Sequence, residues 1–240
     1  MYSIKEILTH TAHRPWKYPK RVFSYYQEWN RALFFHWKVD AAALQNQLPE
    51  NLTVNLFEGE AWVSLVAFTM EKIRPRLLPA VSFLSDFDEI NLRTYVVKDG
   101  KPGVYFLNIE AGKKLSADVA RILSGLPYEF SMMRRNNKDF YESKCDKKDF
   151  HFKARYRIGK IVSEKSDLDL FLTERYCLYV DSKNKLYRYE THHFPWELNK
   201  LWISELESNY RIGTIDLSRL PDKMHYSKGV QVVAWSRKKV

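Results

Sequence analysis

The sequence predicts a mainly β fold, a barrel or a sandwich decorated by helices, and three observations carry that expectation. Apolar and polar residues alternate in segments such as "EINLRTYVV" and "DFHFKARYRI", the period of a strand with two unlike faces. The strand-like segments are separated by turn signals, of which Asp99-Gly100 is the clearest, as in hairpins. Helical patterns are confined to two short stretches, too few for a helix between every pair of strands, which disfavours a doubly wound sheet. With 45% hydrophobic and 15% aromatic residues in 240, the chain can fill a sizeable core. It shows no internal repeat, low-complexity tract or Gly/Ser/Pro linker, so residues 1–240 are expected to form a single domain.

Each element has its own justification. "RALFFHWKV" suggests a strand, after which Asp40 caps a short helix over Ala41 to Leu48 that Pro49 closes. "LTVNLF" and "AWVSLVAFTM" flank "EGE" as two strands across a turn, and "IRPRLLPAVSFLSDF" is a proline-containing loop long enough to cover a cavity. "EINLRTYVVKDGKPGVYFLNIE" reads as a hairpin. The helix "SADVARILSG" follows, ending near Gly125, with Val119, Ile122 and Leu123 on one face, and is expected to pack outside the strands together with the Asp40 helix. "RYCLYV" and "KLYRYET" form another hairpin across "DSKNK", and "VQVVAW" is a last strand.

Charge narrows the partners. Lys and Arg number 39 against 29 Asp and Glu, a formal charge of +10, which admits nucleic acid, anionic lipid and anionic metabolites. The cations concentrate near the start, in the middle run and at the end. In "DFHFKARYRI", Phe150, Phe152, Ala154, Tyr156 and Ile158 alternate with His151, Lys153, Arg155 and Arg157, a half-buried strand whose basic face also discourages edge pairing. None of the usual nucleic-acid motifs is present. The N-terminus lacks a secretory signal, and no window approaches the ~18 apolar residues of a membrane helix. A cytoplasmic protein is expected, with a small-molecule ligand or substrate, no nucleic-acid or membrane partner, and a homo-oligomer left open. Cys145 and Cys177 lack the spacing of a disulfide framework or zinc site and read as reduced, structural thiols.

One strand raises a functional question. Glu89, Asn91, Arg93 and Tyr95 share one face, and Ile90, Leu92, Thr94 and Val96 the other. In a half-exposed strand the polar row faces water; in a barrel with a binding cavity it lines that cavity.

Several segments together resemble the YqjF-like family of uncharacterised bacterial proteins, within the acetoacetate decarboxylase-like superfamily. They are "HWKVDAAALQNQLPENL", "FEGEAWVSLVAFTM", "RPRLLP", "FDEINLRTYV", "GKPGVYFLNIE", "GLPY", "TERYCLY" and "HHFPW". The resemblance implies a closed antiparallel barrel with peripheral helices, a central cavity and the polar row inside it. The wider resemblance, to acetoacetate decarboxylase, bears on "GKKL": that enzyme uses adjacent lysines, the first as a Schiff-base nucleophile and the second as the cation that keeps it neutral. Lys113 would map to the nucleophile and Lys114 to its neighbour, at the end of a strand and ahead of a helix N-terminus, where burial and like charge favour the neutral amine. "FDEINL" resembles the segment bearing the enzyme's glutamate, mapping it to Glu89, and "WNRALFF" the segment bearing its arginine, mapping it to Arg31. The arginine would hold a substrate carboxylate and the glutamate orient the lysine or relay a proton. Gly112 stands where that enzyme has proline, and the spacing from Glu89 to Lys113 is shorter.

The function implied is a Schiff-base lyase acting on a small keto acid or related carbonyl compound, without a cofactor. The alternative is a non-catalytic barrel that binds a small anionic or amphipathic metabolite. Ligand contacts are expected from Asn91, Arg93 and Tyr95, from Glu174 and Arg175 in "TERYCLY", and from His193 and Trp196 in "HHFPW". The favoured reading of Glu174, Arg175 and Tyr176 is an internal ion-pair network with Arg93, since an arginine inside a barrel demands a partner whether or not chemistry occurs. His192 and His193 are adjacent on an extended segment and so point to opposite faces, which argues against a shared metal and for one of them reaching the cavity.

Overall fold

The computed structural model describes residues 2–136, 138–182 and 185–240. The strands are β1 (Tyr25–Val39), β2 (Thr53–Val54), β3 (Ala61–Pro75), β4 (Phe87–Lys98), β5 (Lys101–Ala111), β6 (Tyr128–Phe130), β7 (Met132–Arg135), β8 (Phe140–Cys145), β9 (Phe150–Ile161), β10 (Cys177–Ser182), β11 (Lys185–His192), β12 (Asn199–Ser208), the small hairpin β13 (Arg211–Ile212) and β14 (Ile215–Asp216), and β15 (Lys223–Lys239). Among the described residues the α-helices are α1 (Ile4–Thr9), which precedes the first strand, α2 (Ala41–Gln45), α3 (Ser82–Ser85), α4 (Lys114–Ser124) and α5 (Asp167–Thr173), with a short 3-10 turn at Asp146–Lys148.

Seven strands close a barrel in the order β1-β3-β4-β5-β10-β11-β15, sealed by the pairing of β1 with β15. The expectation of an antiparallel barrel is corrected at one seam: β5 and β10 run parallel, with Leu178 opposite Val104 and Tyr179 opposite Tyr105. The reason is arithmetic, since strand direction cannot alternate around a closed ring of odd number. The seam is narrow. A Cβ on Gly103 would stand 2.6 Å from Cys177 Sγ and 2.8 Å from its carbonyl oxygen, so the glycine permits the two strands to approach.

A second layer covers one side. β12, β9, β8 and β7 continue the sheet from β15 and pack Tyr141, Phe150, Phe152, Ala154 and Tyr156 against Leu33, Phe35, Trp37, Val63, Leu65, Ile90 and Leu92 of the barrel's outer face. The opposite faces of the same barrel strands present Phe34, Val66, Phe68 and Met70 to the interior, with Ile109 and Ala111 of β5. Both faces of β1, β3 and β4 are therefore buried over their central residues, which is why Ala32–Phe35 of β1 and Ala61–Phe68 of β3 are nearly continuous apolar runs, while β4 keeps a polar row on its cavity face and β9, covered on one face, alternates cleanly.

Local predictions fared unevenly. The β4–β5 hairpin turns on Asp99 and Gly100, both at positive φ (51° and 70°), the type I′ geometry that Asp-Gly favours. β2 pairs with β4 and not with β3, so the expected hairpin across "EGE" is replaced by a bridge between Phe57 and Glu60. α4 is not an outer helix: it stands at the end of the barrel, with Val119 and Ala120 lining the interior and Ile122 in water. The Leu123 side chain and the turn residues Lys183 and Asn184 lie outside the described residues. Cys145 and Cys177 are both buried and unbridged. No helix among the described residues is long and apolar enough to cross a membrane.

Candidate functional site: a lined cavity in the barrel

The barrel encloses a cavity of about 390 Å³, within the range of small-molecule sites. Its wall is apolar over most of its extent, formed by Trp29, Phe34, Val66, Phe68, Met70, Phe87, Phe106, Leu126, Leu178 and Trp196. Polar groups enter from few places. Glu89, Asn91 and Arg93 of β4 line it, joined by Tyr128, Arg175 and His193, and by Arg74 of β3, whose guanidinium lies over the Tyr26 ring at 4.3 Å. Glu89, Asn91 and Arg93 of the polar row thus face the cavity, while Ile90 and Leu92 pack under the outer sheet; Tyr95, expected as a ligand contact in the same row, is fully buried and does not line it.

Glu89 is held from two sides. Tyr128 Oη donates to its Oε2 at 2.8 Å and Asn91 Nδ2 to its Oε1 at 3.0 Å. Burial outweighs these bonds and pushes the carboxyl up to about 7, so it exchanges a proton near neutrality.

Arg93 and Arg175 share an aromatic floor. Tyr95 is fully buried beneath them, its ring 4.9 Å from the Arg175 guanidinium and 6.0 Å from that of Arg93. Arg175 lies also over Phe171 at 4.1 Å, and Arg93 over Phe34 at 5.8 Å. Tyr95 Oη donates to the Leu172 carbonyl at 2.8 Å, which also accepts from Arg93 Nη2 at 3.1 Å. Arg175 Nε donates to the Phe171 carbonyl and Nη1 to Asn55 Oδ1. Among the described residues neither guanidinium has a carboxylate within 4.0 Å. Burial pushes Arg175 down to about 10, with Arg93 adding to the effect. Arg93 Nε and Arg175 Nη2 are left without partners, as are Asn91 Oδ1, Trp29 Nε1 and His193 Nε2. His193 Nδ1 must donate to the Phe194 carbonyl at 2.7 Å, which leaves its Nε2 a free acceptor. Unpaired donors on cations inside an apolar wall are costly and mark a place for an anion.

Other expected residues stand elsewhere. Lys113 and Lys114 are exposed, and among the described residues no lysine lines the cavity. The expected burial of the pair is corrected because β5 ends at Ala111 and Lys113, the N-cap of α4, stands where the chain leaves the wall; Ser116 and Val119 take the inward face. Arg31 does not line the cavity either. It sits on a bulge of β1 at φ 55°, bonded to Thr69 Oγ1 at 2.9 Å and Glu71 Oε1 at 3.3 Å. Glu174 is spent on structure, accepting from Lys165 Nζ, Trp196 N and Tyr176 Oη, with no bond to Arg93. His192 faces away from the cavity, with Nε2 bonded to the Ile7 carbonyl, so the histidine pair diverges. Tyr128, the partner of Glu89, carried no local signal in "GLPY"; its place is set by the parallel pairing of β6 with β5.

Comparison with known proteins shows the family and the fold. The DUF2071 family, described as an uncharacterized conserved protein, matches residues 26–231, and the chain belongs to it. Uncharacterized protein YqjF of Bacillus subtilis (strain 168) is 35% identical over 231 residues, covering 92% of this chain and 94% of that protein. Two solved structures share the fold. The acetoacetate decarboxylase of Legionella pneumophila superposes with a TM-score of 0.59 at 14% identity, covering 95% of this chain and 93% of that one. The enduracididine biosynthesis enzyme MppR, complexed with pyruvate, does so with a TM-score of 0.60 at 10% identity, covering 93% of each.

Proposed function

We propose that this barrel binds a small amphipathic carboxylate, its anionic head on Arg93 and Arg175 and its apolar part against the aromatic wall. The observation that carries the reading is the pair of guanidiniums, Arg93 and Arg175, without a carboxylate partner in a mostly apolar cavity. A ligand carboxylate would accept from both and remove the cost of leaving them unpaired. Trp29 Nε1 and His193 Nε2 supply one further donor and one acceptor for a second polar atom on the ligand. Glu89, protonated on the acid side of about 7, avoids repelling the ligand's charge and can give or take a proton next to it.

Calorimetric titration with decanoate and with decanol tests the reading. Decanoate should bind and decanol bind weakly or not at all, and Arg175→Ala should weaken decanoate roughly ten- to hundredfold, the value of a charge-assisted hydrogen bond. Equal affinity for acid and alcohol would remove the arginines from the account.

A second reading is a Schiff-base lyase at Lys113, in which amine and ketone condense to an imine with loss of water. Its support is the shared fold, one member of which is a complex with pyruvate. It requires Lys113 to reach a carbonyl from its exposed position. Incubation with pyruvate and borohydride, followed by peptide mapping, separates the two: a stable adduct on Lys113, abolished by Lys113→Ala, favours the lyase, and its absence favours the binding barrel.

A further inference from the structure

The β3–β4 loop, through Leu78, Val81 and Leu84, and α4, through Ser116, Val119 and Ala120, line one end of the cavity, and the two segments are tied by the bond from Ser116 Oγ to the Leu84 carbonyl at 3.0 Å. Both expose large apolar side chains there. Leu77 is 85% exposed and Phe83 61% on the loop side, and Ile122 is 82% exposed on α4, whose first turn also exposes Leu115. Leu78 and Val81 are exposed and line the cavity as well, so the outer apolar surface is continuous with the inner wall. Scattered exposed hydrophobes are ordinary, but a cluster on the two segments that cover one end of a cavity marks an interaction surface.

Charge specifies the partner. Arg76, Lys113 and Lys114 are exposed on the same segments, and among the described residues none has a carboxylate within 4.0 Å. The acids nearby are already engaged: Asp118 with Arg121 at 3.1 Å, Asp88 with Arg135 at 3.4 Å, and Asp86 with the Lys72 backbone N–H and Ser85 Oγ. The rim is thus apolar at its centre and positive at its edge.

We propose that this rim docks on an anionic phospholipid surface. Leu77, Phe83, Leu115 and Ile122 would enter the boundary between headgroups and acyl chains, and the lysine stems would lie along it with their ammonium groups at the phosphates. Each cation at such a surface strengthens binding roughly fivefold. This end of the cavity then faces the phase into which an amphipathic carboxylate partitions. Docking stands without the carboxylate reading; only the identity of the cargo rests on it.

Sedimentation of the purified chain with vesicles of phosphatidylcholine, alone or mixed with phosphatidylglycerol, tests this with no carboxylate added. The protein should partition to the mixed vesicles roughly tenfold or more above the neutral ones, and rising salt should weaken it. Leu77→Asp/Phe83→Asp/Ile122→Asp should lose this binding while keeping its decanoate affinity, and Ile122→Asp alone carries the same test if the triple variant misfolds. Equal partition to both vesicle types, no partition to either, or binding unchanged in the variants would overturn the proposal. So would a wild-type oligomer that the variant dissolves without any vesicle binding, which would make the rim a self-contact. If vesicles bind and decanoate does not, the cavity reading falls and docking survives.

Discussion

At the scale of single residues, Glu89 reports most directly on the cavity. Its carboxyl moves from an ordinary 4.5 to about 7 on burial. Between those values the native state holds a proton that the unfolded chain has released, so stability falls as pH rises through that window, by about 3 kcal/mol in all. Denaturant unfolding from pH 4 to 9 should show this fall in the wild type and lose that part of it in Glu89→Gln. Carboxylate affinity should weaken over the upper part of the same window as Glu89 ionises, and the substitution should flatten that too. The inward row of Glu89, Asn91 and Arg93 was legible because alternation places residues on faces and both possible outcomes could be stated. The lysine pair was not, since its orientation depends on where a strand ends and a helix begins, a matter of one or two residues that "EAGKKLS" leaves open. Arg31 was lost to a bulge, which moves a side chain to the other face and leaves no mark in periodicity.

Most elements joined by local turns were legible, the hairpin across "EGE" excepted, and those joined across the chain were not. The β4–β5 and β10–β11 hairpins and the helix ending at Gly125 follow from patterns within a few residues. The pairing of β2 with β4 and of β10 with β5 depends on contacts far apart in sequence. The second of these closes the barrel across Gly103, where an added methyl group would meet the Cys177 backbone. Gly103→Ala should therefore destabilise the protein by about 1–3 kcal/mol, the range for overpacking. Thermal melting should register this as a drop of roughly 2–4 °C per kcal/mol for a chain of this size. An unchanged midpoint would show that the seam can widen without cost.

For the molecule as a whole, the barrel protects an interior that does not suit it: two guanidiniums and a titrating carboxyl behind an apolar wall. Such a site lowers the stability of the empty protein and returns it on binding. At a free carboxylate concentration about a hundredfold above Kd, linkage adds about 2.7 kcal/mol, so decanoate should raise the melting temperature and decanol should not. The most direct measurement is a crystal structure of the decanoate complex. The account predicts the carboxylate at roughly 2.7–2.9 Å from nitrogens of Arg93 and Arg175, with the chain running toward Phe87 and α4. A carboxylate turned outward to Lys113 and Lys114, with the two arginines still unpaired, would contradict it.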